Sequence, residues 1–179
     1  MQLKRLKNKQ QQQQQTSLMY IKRSLTKSLD TFKGLHFKYK KKSTSSHRYI
    51  CTVGIGGNVG DVKRRFEHLF FYLKRDIRVE LLQTSLILKN PPFGFIEQDD
   101  FFNSIIILKT SMKATLFLDY LLRIEKKFGR CRSFENAPRT LDLDIIFFDN
   151  KVINTSRLQV PHPHWFERDS VLIPLMDIR

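Results

Sequence analysis

Apolar and polar positions between residues 49 and 148 follow two repeats, one typical of strands and one typical of helices. Runs of β-branched and aromatic residues predict strands at 49–55, 77–88, 102–110 and 140–148. Apolar residues at helical spacing predict two amphipathic helices, one beginning after Asp61 and one covering about 113–128, with Gly129 as its stop. The predicted buried faces are Val62, Phe66, Leu69, Phe70 and Leu73 in the first helix, and Leu116, Tyr120, Leu121 and Ile124 in the second.

The order of these elements is strand, helix, strand, strand, helix, strand. This order is typical of the α+β class and of the ferredoxin-like sandwich, βαββαβ, in which a four-stranded antiparallel sheet carries both helices on one face. We expect the first and last strands to lie side by side in the middle of that sheet. The glycine-rich loop at 56–61 would then lie near residues 142–144.

Residues 1–48 form an N-terminal extension of different composition, which leaves residues 49–179 as the folded domain. Six glutamines at 10–15 have no apolar face to bury, so we expect disorder there. Leu18, Ile21, Leu25, Leu29 and Phe32 recur at helical spacing and predict a short basic amphipathic helix. Docking on the domain, contact with an anionic membrane surface, targeting and a solvated extension remain alternatives for it. Residues 38–46 read as a polar linker.

The net charge of +15 belongs mainly to this extension. Residues 1–48 contain 13 lysines and arginines against Asp30 alone, which leaves a net charge of only +3 for residues 49–179. The domain is therefore not notably basic, and its arginines have to be judged one by one.

The two cysteines and the hydropathy of the chain indicate in which cellular compartment the protein is expected. Cys51 and Cys131 are far apart and lack the spacing of metal ligands, so we expect free thiols in a reducing compartment, the cytoplasm. No apolar run approaches the length of a membrane span.

The most informative stretch is Pro138-Arg139-Thr140-Leu141-Asp142-Leu143-Asp144, which places two carboxylates in a run that otherwise reads as a buried strand. Because strand side chains alternate between faces, Asp142 and Asp144 are predicted to share one face and Leu141 and Leu143 the other. Neighbouring carboxylates repel each other, and a pair on a rigid strand suits a hard cation such as Mg²⁺. Incidental charges on a solvent-facing strand are the alternative interpretation.

Four segments in order give a more specific indication. They are Gly54-Ile55-Gly56-Gly57-Asn58-Val59-Gly60-Asp61; Pro91-Pro92-Phe93-Gly94 with Gln98 and Phe101-Phe102-Asn103; Glu125 with Gly129-Arg130-Cys131-Arg132 and the run from Pro138 to Asp144; and Val160-Pro161-His162 with Arg168 and Val171-Leu172-Ile173-Pro174-Leu175. In this order and spacing the chain resembles the 6-hydroxymethyl-7,8-dihydropterin pyrophosphokinase family of folate biosynthesis. The resemblance covers residues 49–178 and leaves the extension outside.

The resemblance implies transfer of pyrophosphate from ATP to a reduced pterin, with two Mg²⁺ ions as cofactors and with ATP and 6-hydroxymethyl-7,8-dihydropterin as small-molecule partners. The sequence leaves open which partner, if any, the extension binds. The residues it implies are Asp142 and Asp144 as metal ligands; Arg130, Arg139, Asp142 and Asp144 as catalytic residues; Glu125, Arg130, Arg132, His162 and Arg168 at ATP; and Asn90, Pro91, Phe93, Phe101, Asn103 and Asp142 at the pterin. The chain departs from the family pattern at Asn136, Ala137 and Ser170, which puts pterin affinity in doubt but removes no implied metal ligand.

Two other classes remain as alternatives. The same element order builds RNA-recognition modules, and the extension is basic, but no base-stacking RNP segment appears and paired aspartates would repel RNA, so nucleic acid is not expected. An inactive scaffold anchored through its extension is the other alternative, against which the complete metal and arginine set argues.

Overall fold

The computed structural model describes residues 20–94, 96–131 and 137–178. Within these residues the chain forms nine strands and three helices. The strands are β1 (Ile21–Ser24), β2 (Asp30–Lys33), β3 (Tyr49–Gly57), β4 (Val79–Thr84), β5 (Ile87–Asn90), β6 (Phe101–Thr110), β7 (Asp142–Phe148), β8 (Ile153–Asn154) and β9 (Gln159–Val160). The helices are α1 (Val62–Arg75), α2 (Ala114–Lys127) and α3 (Asp169–Asp177).

Seven of these strands form one antiparallel sheet. Its order is β1-β2-β5-β6-β3-β7, and β4 also pairs with β6. β3 therefore lies between β6 and β7, and β7 lies at the edge of the sheet as far as the structure describes the chain. β8 and β9 form a separate two-stranded sheet.

The main hydrophobic core lies between one face of the sheet and helices α1 and α2. The first helix buries the five residues that the sequence predicts, and its N-terminus is capped by Asp61, which accepts a hydrogen bond from the backbone N–H of Arg64 at 3.1 Å. The second helix ends before Gly129, whose φ of +82° is the left-handed conformation that favours glycine after a helix. α3 packs on the opposite face, where Val171 contacts Ile105 and Ile146.

The α+β class, the antiparallel sheet and the placement of the two predicted helices on one face are confirmed. Three expectations are wrong in detail. The sheet has seven strands and not four, β7 lies at an edge and not in the middle, and Leu116 is exposed while its neighbour Phe117 is buried. The predicted strand 77–88 divides into β4 and β5 at Ser85. The Ser85 backbone N–H donates to the Ile105 carbonyl, but the Ile105 N–H donates to the Ser85 hydroxyl, which takes the place of a backbone carbonyl in the ladder.

The predicted amphipathic helix in the extension is also wrong over its described residues. Residues 21–33 form a β-hairpin, in which β2 pairs with β5 through Asp30↔Lys89, Thr31↔Leu88 and Phe32↔Ile87. The strand β5 offers unpaired backbone groups along its edge, and Phe32 becomes buried when the hairpin adds there. Tertiary pairing has therefore outweighed a helical spacing of apolar residues.

The segment that joins this hairpin to β3 is held against the domain as well. Phe37 is 1% exposed and lies in the main core with its ring 5.7 Å from that of Phe66. The buried carboxylate of Glu80 on β4 accepts hydrogen bonds from the hydroxyls of Ser43 and Ser45 at 2.8 and 2.7 Å. The predicted polar linker thus has a fixed position beside the sheet.

Two simpler expectations concern the thiols and the membrane. Cys51 is buried, Cys131 is exposed, and both are free. In the described part of the chain, none of the three helices combines the length and the apolar character that a membrane crossing needs.

Candidate active site

Asp142 and Asp144 stand on β7 with their side chains on the same face of the sheet. Leu143 and Ile145 point the other way into the core, which confirms the predicted alternation. On the neighbouring strand, Asp142 lies opposite Gly56 and Asp144 opposite Gly54. Because these two positions carry no side chain, β3 leaves the space in front of the carboxylates open.

The glycine at position 56 is required by a close approach. A Cβ atom there would lie 2.8 Å from the side-chain oxygen of Asn103 on β6. A Cβ atom at Gly57 would lie 2.5 Å from the carbonyl oxygen of Thr140. These two glycines at the end of β3 therefore let the segment that leads into β7 pack directly against the strand. The glycine-rich stretch lies near residues 142–144, as the sequence predicts.

Two arginines converge on Asp142. Arg139 donates from Nη1 to one carboxylate oxygen at 2.5 Å, and Arg130 donates from Nη1 to the other. Arg139 is positioned by two hydrogen bonds to Asn58. The Asn58 side-chain oxygen accepts the Arg139 backbone N–H at 2.8 Å, and the Asn58 backbone N–H donates to the Arg139 carbonyl at 3.0 Å. The loop after β3 thus fixes one phosphate-binding candidate beside the carboxylate pair.

Glu125 supports this arrangement from the end of α2. Its buried carboxylate accepts the backbone N–H of Leu143 at 2.7 Å and also accepts a hydrogen bond from the guanidinium of Arg130. Burial raises the pKa of Glu125 to about 7, although the Leu143 N–H and Arg130 favour the ionised form. Glu125 and Arg130 therefore lie behind Asp142 and orient it from the core side.

Asp144 reaches the cleft in front of β7 and is exposed there. The surrounding protein still removes much of its hydration, and the charges of Asp142 and Glu125 lie close by, so the pKa of Asp144 is raised above its ordinary value. A cation bound beside Asp142 and Asp144 would offset the repulsion between their negative charges.

This cleft has a volume of about 500 Å³ and brings the predicted residues together from separate parts of the chain. Ten of the predicted site residues line it: Asn90, Pro91, Phe93, Phe101, Asn103, Arg139, Asp142, Asp144, His162 and Arg168. The Asn103 amide donates to the side-chain oxygen of Asn90 at 2.7 Å, so the two amides form one polar edge. The guanidinium of Arg139 lies 5.4 Å from the centre of the Phe101 ring.

The far wall of the cleft comes from the segment around α3. Arg168 precedes this helix and lies 5.6 Å from the centre of the Phe93 ring. His162 is held by a backbone hydrogen bond to Ile146 at 3.0 Å, and burial together with the charge of Arg168 lowers its pKa. Asp169, Ser170 and Val171 complete this wall.

Two predicted residues that the structure describes, Glu125 and Arg130, lie behind Asp142 and are not among the cleft-lining residues, and some lining residues were not predicted. Arg132 lies outside the described residues, and so does Asn136. Ser28 and Leu29, in the turn of the N-terminal hairpin, line the cleft although the sequence indicated a helix there. Glu167 and Ile146 also line it, and neither carries a signal in the sequence that separates it from an ordinary surface or core residue.

Comparison with known proteins shows a family match over the part of the chain that holds most of these residues. The family model described as 7,8-dihydro-6-hydroxymethylpterin-pyrophosphokinase matches residues 52–179. The chain belongs to this pyrophosphokinase family. The matched range contains Asp142 and Asp144, the two arginines that contact Asp142, and the cleft residues Asn90 and Asn103.

Curated relatives of the same family agree. The chain is 41% identical over 143 residues to the 2-amino-4-hydroxy-6-hydroxymethyldihydropteridine pyrophosphokinase of Campylobacter jejuni, covering 80% of this chain and 91% of that protein. It is also 41% identical over 139 residues to the enzyme of the same name from Helicobacter pylori, covering 76% of this chain and 84% of that protein. The Bacillus subtilis enzyme is 35% identical over 129 residues, covering 72% and 77%.

Proposed function

We propose that the cleft transfers the pyrophosphoryl group of ATP to the hydroxymethyl oxygen of 6-hydroxymethyl-7,8-dihydropterin, giving AMP and the pterin diphosphate for folate synthesis. The observation that carries the proposal is the meeting of Asp142, Asp144 and Arg139 with Asn90 and Asn103 in one cleft. Membership in the pyrophosphokinase family supports the same reaction. The protein is accordingly an ATP-dependent enzyme.

The pterin subsite is assigned to the side of the cleft formed by β5 and β6. A flat heterocycle with a polar rim needs apolar walls for its faces and amide groups for its edge. Asn90 and Asn103 supply the amides, and Phe101, Phe93 and Pro91 supply apolar surface. Asp142 lies at the inner end of this subsite, where the hydroxymethyl group would be directed.

The triphosphate is assigned to the cationic side chains around Asp142. Arg130, Arg139, His162 and Arg168, together with Arg132, would bind its oxygens, because guanidinium groups match phosphate geometry with paired donors. Phosphoryl transfer needs positioning and charge neutralisation more than covalent chemistry. Glu125 would act near ATP by orienting Arg130, which it already contacts.

The donor set also fits magnesium, and we propose two Mg²⁺ ions held by Asp142 and Asp144. Among the described residues no cluster of three or more histidine, cysteine, aspartate or glutamate side chains has the geometry of a metal site. Two carboxylates suffice for Mg²⁺, which usually keeps water and substrate phosphates as its other ligands. When bound, Mg²⁺ would neutralise phosphate charge and make the pterin hydroxyl more acidic.

The same proposal includes the fold unit, the domain bounds, the partners and the cellular compartment. We assign β3, α1, β4 with β5, β6, α2 and β7 to a ferredoxin-like βαββαβ unit. We assign residues 49–179 to the catalytic domain, whose core also receives Tyr20, Phe32 and Phe37 from the preceding segment. ATP and the pterin are the proposed partners, and the cytoplasm is the proposed compartment because both substrates and reduced thiols are expected there.

The reaction is tested by incubating the full chain with ATP, Mg²⁺ and 6-hydroxymethyl-7,8-dihydropterin and separating the nucleotides. AMP should appear in equal amount to the pterin diphosphate, and only when the pterin is present. Formation of ADP with a pterin monophosphate would indicate an ordinary kinase. AMP release without pterin would indicate hydrolysis. Either result overturns the proposed function.

A further inference from the structure

The turn of the N-terminal hairpin reaches the cleft. Ser28 and Leu29 belong to its lining together with Asn90, Phe93 and Asn103. Both residues lie outside the range 52–179 that the family model matches. This wall of the cleft therefore lies outside the part of the chain that the family model matches.

This turn has a defined position because its own groups hold it. The backbone N–H of Leu25 donates to the carbonyl of Leu29 at 2.8 Å, and the N–H of Leu29 donates to the hydroxyl of Thr26 at 3.1 Å. At its base, the hydroxyl of Ser24 donates to Asp30 at 2.6 Å, and Lys22 forms an ion pair with the same carboxylate at 2.8 Å. These bonds connect both ends of the turn.

The strand register places Leu29 on the pterin side of the cleft. Thr31 lies opposite Leu88, and Asp30 lies opposite Lys89. One residue further along each antiparallel strand, Leu29 comes beside Asn90. Asn90 accepts a hydrogen bond from the Asn103 amide, so Leu29 borders the amide edge that is assigned to the pterin.

The hairpin is anchored to the domain by more than backbone pairing. The ammonium group of Lys63 on α1 lies 4.5 Å from the ring centre of Phe32, 5.0 Å from that of Tyr20 and 5.8 Å from that of Phe102. The Tyr20 hydroxyl donates to the Lys63 carbonyl at 3.1 Å. Since Phe102 stands between the cleft residues Phe101 and Asn103 on β6, the anchor couples the hairpin to the strand that carries them.

Leu29 is also an available apolar contact. Ile55 and Ile146 line the cleft but are 2% exposed, and Val171 is 9% exposed, so each shows little surface to a ligand. Phe101 and Phe93 supply the apolar surface already assigned to the pterin, and each ring also has a guanidinium group, that of Arg139 or Arg168, beside it. The half-buried side chain of Leu29 keeps part of its surface open toward the cleft.

We propose that the β1–β2 hairpin forms a fixed wall of the pterin subsite and that Leu29 is a specificity-determining residue that contacts the pterin ring. The inference rests on the proposed function and adds the residue that limits which pterins fit. It assigns the N-terminal segment a role in substrate recognition separate from its contribution to the core.

The test compares Leu29→Ala and the polar Leu29→Gln with wild-type protein. The dissociation constant of 6-hydroxymethyl-7,8-dihydropterin is measured by fluorescence titration in the presence of a non-hydrolysable ATP analogue and Mg²⁺. We expect a weakening of about 5- to 20-fold, the range for loss of one apolar contact in a binding pocket. The affinity for the ATP analogue alone should change less than about twofold, because Leu29 borders the amide edge that is assigned to the pterin.

Leu25→Ala is the matched control, since Leu25 lies in the same turn, is 43% exposed and is not part of the described cleft lining. It should leave both affinities unchanged. A second measurement needs no variant: hydrogen exchange of the wild-type amides at 25–29 should slow when the pterin is added to the nucleotide complex.

The outcomes separate this inference from the proposed function. If wild-type protein forms AMP but the Leu29 variants bind the pterin as tightly as Leu25→Ala, the wall role is wrong and the function stands. Equal losses of pterin and nucleotide affinity would mean that Leu29 is only structural. Unchanged exchange at 25–29 would also contradict contact with the pterin. Absence of AMP from wild-type protein would overturn the function itself.

Discussion

At the scale of single residues, the two carboxylates of β7 have different surroundings. Asp142 is held by Arg130 and Arg139, whereas Asp144 faces the cleft and has a raised pKa next to its acidic neighbours. The neighbours of both carboxylates are charged side chains and the open cleft, which suit ligand binding and add little to the hydrophobic core. Their removal should therefore affect turnover more than folding.

Asp142→Asn and Asp144→Asn should each lower kcat by about 100-fold or more, the usual cost of removing one preorganised charge-stabilising group. Steady-state AMP formation measures this loss. The melting temperature of Asp144→Asn should stay equal or rise, because the substitution removes repulsion. Asp119→Asn is the control, as Asp119 is a carboxylate on α2 paired with Arg157 outside the cleft lining. A variant that melts early but keeps turnover per folded molecule would make the pair structural.

At the scale of elements, one carboxylate joins the two core helices. Asp76 follows α1 and accepts hydrogen bonds from Arg78 Nη2 at 2.6 Å and from the Tyr120 hydroxyl on α2 at 3.1 Å. Arg78 is the main reason that the pKa of Asp76 is lowered to about 2. The ionised form thus stabilises the folded state at every pH above its ordinary pKa of 3.8.

Asp76→Asn should lower the free energy of unfolding at pH 7 by about 1 kcal/mol, the scale of a partly exposed charged hydrogen bond. The difference from wild type should shrink as the pH falls from 3.8 toward about 2, where the native carboxylate becomes protonated. Urea unfolding across this range is the measurement. A difference that stays constant with pH would show that the charge of Asp76 contributes nothing.

Elements with strong local patterns were predictable, and those that depend on distant partners were not. The alternation of Asp142, Leu143 and Asp144 gave the faces of β7, and Asp61 and Gly129 marked helix ends. The hairpin at 21–33 forms because the edge of β5 accepts it, a partner about 60 residues away that spacing cannot reveal. α3 was missed because Pro174 inside it reads as a helix breaker.

The candidate site was predictable for a related reason. Its predicted residues lie in short motifs with recognisable spacing, and ten of them line the cleft. Leu29 belongs to no such motif and enters the cleft only through sheet pairing. Leu116 and Phe117 are adjacent apolar residues, so helical periodicity alone could not decide which one faces the core.

At the scale of the whole molecule, residues before the family match contribute to the same core. Tyr20, Phe32 and Phe37 pack in one cluster with α1, β3 and β7. The N-terminal segment from residue 20 is therefore part of the fold that supports the cleft. A substitution there tests this statement without touching a substrate-binding residue.

Phe37→Ala should lower the free energy of unfolding by about 3–5 kcal/mol, since it removes a fully buried ring from the core. Leu35→Ala, two residues away and 68% exposed, should change it by less than about 0.5 kcal/mol. Chemical denaturation of both variants gives the comparison. Equal small effects would mean that the segment rests on the domain without stabilising it.

The most direct test of the central claim follows individual phosphorus atoms. The full chain is incubated with Mg²⁺, 6-hydroxymethyl-7,8-dihydropterin and ATP labelled at its β-phosphorus, and the pterin product is isolated. The account predicts that the β label moves completely to the pterin and that the nucleotide product is unlabelled AMP. A β label that remains in ADP would contradict pyrophosphoryl transfer at this cleft.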